Sequence, residues 1–284
     1  MTIDSHVHFW RYNPEEYPWI DEPMASLRRD FLPEDAAREM GPAGIDACIA
    51  VQVRQSVEET RWLLELARTH PFIAGVVGWV DLRAADLGLQ LETLSADAKL
   101  VGIRHIVQAE PDDFLEDPGF RRGVAALERH GLAYDILVYA RQLPAAIRFA
   151  AALPGVRLVL DHLGKPDIRA GAFDSWRRSL DSLAAFPNVC AKVSGLVTEA
   201  DWRRWTAEDL HPYVGAALDS FGPDRLMIGS DWPVCTVAAG YGAVMDVVRR
   251  AVTASRPDAR AAVLGGTAQR FWNLPGLFSR ERSI

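Results

Sequence analysis

Two histidines one residue apart, His6 and His8, stand in the run Ile3-Asp4-Ser5-His6-Val7-His8-Phe9-Trp10. If that run is extended, residues i and i+2 share a face, so both imidazoles point the same way and can hold a divalent ion together. Other polar groups end apolar runs farther along: Arg104-His105, Asp161-His162, Lys192 with Ser194, and Ser230-Asp231. A carboxylate such as Asp231 can take a proton from water, while imidazoles or a guanidinium can stabilise an oxyanion. Each group alone has a plain alternative. An isolated His-x-His pair is as readily structural, Asp231 before Trp232-Pro233 can form a turn, and Lys165-Pro166 reads as an ordinary loop. His70, His130 and His211 fall on helical or loop patterns and are assigned to the surface. Coincidence favours chemistry: these groups end different apolar runs at the same end, where buried polar side chains need partners or a ligand.

The runs themselves cover 3–9, 45–53, 73–82, 100–107, 132–138, 156–163, 189–196 and 226–228. Most are nearly continuous in apolar residues, the pattern of parallel strands covered on both faces. Between them, helical periodicity predicts helices over 57–69, 119–130, 142–152, 173–186, 212–221, 241–255 and 259–272. Alternation of strand and helix through the chain predicts an α/β fold, a single (β/α)8 TIM-like barrel over 1–284. An open doubly wound sheet is the other arrangement with this alternation. It usually places a glycine-rich turn after its first strand, where this chain has His6 and His8. In a barrel, the C-terminal strand ends share one mouth, and the polar groups would meet there. The irregular stretch 11–33 would lie over that end as a long first loop.

Composition narrows the partners. A net charge of −7 and an isoelectric point near 5.5 argue against nucleic acid, whose binding domains carry a basic face. No uncharged apolar run is long enough to span a membrane, and no basic-then-apolar leader opens the sequence, so a cytoplasmic protein is expected. Cys48, Cys190 and Cys235 lack C-x-x-C spacing, which fits reduced thiols. Of the nine tryptophans, Trp10 and Trp232 follow catalytic-type strand ends and are expected to wall a site, whereas Trp62, Trp176 and Trp272 are expected to pack.

With those residues in view, the first run resembles the opening signature of the amidohydrolase superfamily. The remainder resembles its sugar-lactone hydrolase branch, the group of L-fuconolactonase-like and L-rhamnonolactonase-like enzymes. The marks are Gly102-Ile103-Arg104-His105, Leu160-Asp161-His162-Leu163-Gly164-Lys165-Pro166, Lys192-Val193-Ser194-Gly195-Leu196 and Gly229-Ser230-Asp231-Trp232-Pro233, in order along nearly the whole chain. The resemblance implies a TIM-like barrel that hydrolyses a sugar-acid lactone to the open-chain acid. It assigns the water-activating role to Asp231, and metal binding or direct substrate polarisation to His6 and His8.

One departure bears on the metal. Metal-dependent members take a further ligand, commonly His, from the fifth strand, and binuclear members add a bridging Lys or Glu on the fourth. Here the fifth run reads Asp135-Ile136-Leu137-Val138-Tyr139 and the fourth ends in Arg104-His105. The expectation is therefore at most one divalent ion, zinc in the first instance, on His6, His8 and Asp231, with His162 as a further ligand in one arrangement. The metal-free alternative leaves Arg104, His105 and His162 to stabilise the oxyanion. Catalytic candidates are Asp231, His162 and His105; substrate-binding candidates are Arg104, Tyr139, Lys192, Trp10 and Trp232. The partner is a small sugar lactone, with nucleic acid and membrane excluded and the oligomeric state open. A metal-dependent decarboxylase or another hydrolase of the superfamily is the alternative activity, and a non-catalytic sugar binder is a third.

Overall fold

The computed structural model describes residues 1–274. Eight strands, β1 (Ile3–Val7), β2 (Ala47–Val51), β3 (Ile73–Gly78), β4 (Leu100–His105), β5 (Ala133–Ile136), β6 (Leu158–Leu160), β7 (Val189–Val193) and β8 (Leu226–Ile228), pair in parallel in chain order. Each lies inside a run predicted from the sequence. Every strand residue is buried, as the unbroken apolar character of the runs requires. The helices between them are α1 (Pro33–Met40), α2 (Val57–Thr69), α3 (Leu87–Ser95), α4 (Pro118–Ala126), α5 (Leu143–Ala152), α6 (Phe173–Ala184), α7 (Ala207–Phe221), α8 (Tyr241–Ser255) and α9 (Thr267–Phe271). The order is that of a (β/α)8 barrel. Of the expected domain over 1–284, the segment 275–284 lies outside the described residues.

Helix periodicity alone did not assign α1 or α3. For α7 the predicted start at Pro212 is too late, because Thr206 and Asp209 cap the helix reciprocally and start it at Ala207; the Thr206 N–H donates to Asp209 Oδ2 at 2.7 Å. The helix predicted over 259–272 is broken by a π-turn at Ala262–Gly266, leaving only α9 regular.

Two apolar layers flank the strands. Most of the core lies between strands and helices. A second cluster, including Ile3, Ile49, Val77, Val101, Val159 and Met227, fills the barrel interior and is plugged by Phe271 and Trp272 after β8. The barrel therefore has a floor, and its polar residues are confined above it.

Closure occurs between β1 and the chain after β8. The Asp231 N–H donates to the His6 carbonyl at 2.9 Å, and the His8 N–H to the Trp232 carbonyl at 2.7 Å. Beside this seam the buried Asp4 carboxylate accepts from the N–H groups of Ser230 at 2.9 Å and His6 at 3.1 Å, and from the Tyr241 hydroxyl at 2.9 Å. Residues 226 positions apart are thus joined by one side chain. The long first loop is pinned at its ends by paired bonds between Trp10 and Phe31, at 3.0 and 2.9 Å.

Removing the Asp4 acceptor strands two buried N–H groups, so Asp4→Ala should cost about 2–4 kcal/mol in urea unfolding, with Asp4→Asn costing less than half of that. Burial raises the Asp4 carboxyl to about 6. The folded state then holds this proton more tightly than the unfolded chain does, so its contribution is complete below the ordinary carboxyl range and is lost as pH rises through about 6. Relative to Asp4→Asn, the wild type should therefore lose stability between about pH 4 and pH 7. A pH-independent difference would show that Asp4 does not titrate this way.

Candidate active site

β1 carries an irregularity in its register between Asp4 and Val7. Below it Ile3 joins the interior cluster, and above it His6 and His8 both face the interior polar groups. Room for His6 comes from Gly229, where a Cβ would lie 3.0 Å from His6 Cβ and 3.0 Å from Ser194 Cβ. The His8 Nδ1–H donates to the Val51 carbonyl at 2.8 Å, which turns Nε2 inward. That nitrogen lies 3.2 Å from His6 Nε2 and 3.3 Å from Asp231 Oδ1.

Asp231 takes a left-handed conformation, φ 60°, fixed by its bond to the His6 carbonyl. His162 does the same at φ 53°. The turn lets consecutive residues of the sixth strand end both serve the interior: Asp161 bonds Arg104 at 3.1 Å, while His162 Nε2 stands 3.8 Å from Asp231 Oδ1. His162 is held from behind by Ser194 Oγ, 2.8 Å from Nδ1. Gly195, at φ 63°, leaves that space free, since a Cβ there would meet His162 Nδ1 at 2.7 Å.

Beneath the imidazoles lies a layer of buried charge. Lys192 Nζ contacts Asp161 Oδ1 at 2.9 Å and His6 Nδ1 at 3.2 Å, bonds Asp135, and sits above the Trp272 ring. Arg104 bridges Asp161 and His6 Nε2, each at 3.1 Å, and donates to the Gln52 carbonyl. Two cations thus balance two carboxylates. Burial alone would favour protonated Asp161, but Lys192, His6 and Arg104 outweigh it and hold its carboxyl well below the usual range. Burial raises Asp135 to about 7, against the pull of Lys192.

The upper groups are electrostatically distinct. Burial pushes His6 well down and His162 to about 4, so both are neutral at pH 7. At Asp231 burial opposes ionisation, but His162, His8 and His6 prevail and keep the carboxyl far below its ordinary value. His6, His8 and Asp231 offer ligand atoms all within 4.8 Å of one another, as do His6, Asp161 and His162. Imidazoles and a carboxylate aimed at one point are a donor set that a divalent cation fits. His8 Nε2 and Asp231 Oδ1, 3.3 Å apart, are placed to share a cation or a proton. Arg104 competes for His6 Nε2 and would yield it to an ion.

Of the residues expected to act together, His6, His8, Arg104, His162, Lys192 and Asp231 converge. His105 does not. Strand alternation turns it away from Arg104, and it stacks on Phe114 at 5.0 Å and bonds Glu110 at 3.0 Å. Trp10 is fully buried and donates to the Arg29 carbonyl, and Trp232 packs on Phe31 at 5.3 Å. Both rings pack on Phe31 of the first loop, the contacts of loop anchors. Tyr139 is half-buried beside Lys165. Arg104 and Lys192 are buried against His6, with charged ends bonding Asp161, Asp135 and the Gln52 carbonyl. Residues that sequence reasoning left without a role are Asp135, Asp161 and Gln52; the signal was a charged or amide group within or ending a wholly apolar strand.

A nearly closed barrel with paired imidazoles on its first strand and a carboxylate after its last is the arrangement of an amidohydrolase-type barrel. The chain belongs to the amidohydrolase family, whose profile its residues 3–274 match. It is 47% identical to an L-fucono-1,5-lactonase of Burkholderia multivorans, covering 97% of each chain, and 39% identical to one of Burkholderia ambifaria, covering 96% of each. A crystal structure of an amidohydrolase from Burkholderia multivorans with bound zinc, 47% identical, superposes with a TM-score of 0.92 over 97% of this chain and 100% of that one.

Lys192→Met leaves Asp135 and Asp161 with Arg104 alone and should cost about 3–5 kcal/mol in urea unfolding. Adding Asp135→Asn should recover part of that loss, because the unpaired buried charge is removed. No recovery would mean that the ammonium does not act by neutralising Asp135.

Proposed function

We propose that this protein hydrolyses a sugar-acid lactone, of the L-fucono-1,5-lactone kind, to the open-chain aldonic acid. The observation that carries the reading is the ionised Asp231 facing three imidazoles at the barrel mouth, in a chain close in sequence to lactonases over its full described length. Asp231 accepts a proton as water attacks the lactone carbonyl carbon, and a new C–O bond forms. The ring C–O bond then breaks, and the alkoxide takes the proton from Asp231. The product acid ionises and releases a proton to solvent. His162 polarises the carbonyl: with the Ser194 hydroxyl donating to Nδ1, its Nε2–H is free to donate to the developing oxyanion.

The donor set supports a single divalent ion on His6, His8 and Asp231, and we propose zinc, which accepts three protein ligands and keeps a position open. Bound there, it would add Lewis-acid stabilisation of the oxyanion. Arg104 and Lys192 orient the His6 ring, and burial together with Lys192 keeps it neutral. Three free, buried cysteines support a reducing compartment such as the cytoplasm. Among the described residues no helix is long and apolar enough to cross a membrane.

In a pH-indicator assay across aldonolactones, Asp231→Asn should lower kcat by about 100- to 10,000-fold in a protein that still unfolds cooperatively. Near-normal turnover would remove Asp231 as the base. Chelation with elemental analysis separates the metal: activity should fall as zinc leaves and return when it is restored. Full activity without bound metal would take the ion out of the reaction.

A further inference from the structure

The loop after β6 continues from His162 through Leu163 and Gly164 to Lys165 with every residue at positive φ, 53°, 50°, 70° and 49°. Three of these are not glycine, so the turn is costly and is held by outside contacts. The Trp176 indole donates to the Leu163 carbonyl at 2.7 Å, and the Lys165 N–H to the His162 carbonyl at 2.9 Å. Its product is a lysine displayed three residues beyond His162. Opposite it, the loop after β7 carries Glu199 at the end of a short 3-10 turn, Leu196–Glu199. The two loops are stitched by the Arg169 N–H, which donates to the Glu199 carbonyl at 3.0 Å.

Lys165 Nζ stands 3.4 Å from Glu199 Oε1, with side chains 16% and 18% exposed. Among the described residues neither charged end has another hydrogen-bond partner, so most of the donor capacity of the ammonium and the acceptor capacity of the carboxylate is unspent. The Tyr139 ring lies beside the group, its centroid 5.2 Å from Lys165 Nζ and 4.9 Å from the Arg141 guanidinium carbon. Lys165 lies three residues beyond His162 and Glu199 five beyond Ser194, whose Oγ is 2.8 Å from His162 Nδ1, so both loops leave strand ends that build the site.

We propose that Lys165 and Glu199 are the specificity-determining pair of this site, reading adjacent ring hydroxyls of the substrate, with the Tyr139 ring against its C–H face. The proposal rests on the lactone reading above. A sugar hydroxyl both donates and accepts, so an ammonium beside a carboxylate satisfies two neighbouring hydroxyls with charge-assisted bonds. A pair serving only to join two loops would be expected to close to tight contact and need not grow from the loops that carry His162 and follow Ser194. Neither residue touches the scissile bond. Their contribution is binding energy that holds the ring equally in the ground state and the transition state.

The test compares L-fucono-1,5-lactone with δ-valerolactone, which has a six-membered lactone ring and no hydroxyls. Lys165→Met and Glu199→Gln should each raise KM for the sugar lactone about 10- to 100-fold, the range for losing a hydrogen bond to a charged group, with kcat within about threefold. For δ-valerolactone, kcat/KM should not change. Equal losses on both substrates, or a shifted pH profile of kcat, would show that the pair supports the fold or tunes Asp231, and would overturn the assignment, as would unchanged constants. If a variant fails to unfold cooperatively, Glu199→Asp and Lys165→Arg, which keep the charges, should still weaken the sugar lactone selectively. Wild-type turnover of δ-valerolactone but not the sugar lactone overturns the pair while leaving lactone hydrolysis standing. Turnover of neither overturns both.

Discussion

The barrel closes through main-chain bonds between His6 and His8 on one side and Asp231 and Trp232 on the other, and the site exists because of that seam. Neighbouring strands lie about 5 Å apart, so groups on the inner faces of two bonded strand ends are within hydrogen-bonding or ligand distance. The imidazole pair and the carboxylate therefore meet wherever the closing register is kept. Asp4 guards that register from the other face by accepting from His6, Ser230 and Tyr241 together. Gly229, at the same seam, keeps space for His6 Cβ and Ser194 Cβ.

A second constraint follows from placing ionised groups above an apolar floor. Isolated charge there would be far too costly, and the protein meets this by matching Lys192 and Arg104 with Asp135 and Asp161. The layer also conditions His6, whose two ring nitrogens face Lys192 and Arg104. Burial, with Lys192 adding to it against the opposing Asp161 carboxylate, keeps the ring neutral, which is the form that can donate a lone pair. Structural charge and chemical charge are thus stacked: a balanced layer below, and an acceptor-rich layer above it where a proton, a cation or a polarised carbonyl is needed.

Much of this was legible in the residues. Continuous apolar runs ending in polar pairs marked the parallel strands and their shared mouth, and the i, i+2 spacing of His6 and His8 put them on one face. The limits were equally physical. Alternation cannot say which member of Arg104-His105 faces inward, because both are polar; pairing with Asp161 decides it, and His105 turns to Phe114 and Glu110 instead. Asp161 and His162 break alternation, and both serve the interior only through a left-handed turn that no local propensity favours for histidine. Trp10 and Trp232 adjoin reactive residues in the chain, yet their bulk is buried under the first loop. Lys165-Pro166 read as a loop because nothing local distinguishes a lysine displayed at a mouth from one in solvent.

The sequence by itself determined the element order, the buried strands and the set of residues available for chemistry, since these follow from side-chain hydrophobicity and short-range geometry. The tertiary structure decided which of those residues meet, which neutralise one another and which merely pack. Those outcomes depend on contacts between strands and loops far apart in the chain, such as Asp4 with Ser230 or Lys165 with Glu199, where the energy lies in pairing and desolvation and not in either residue alone.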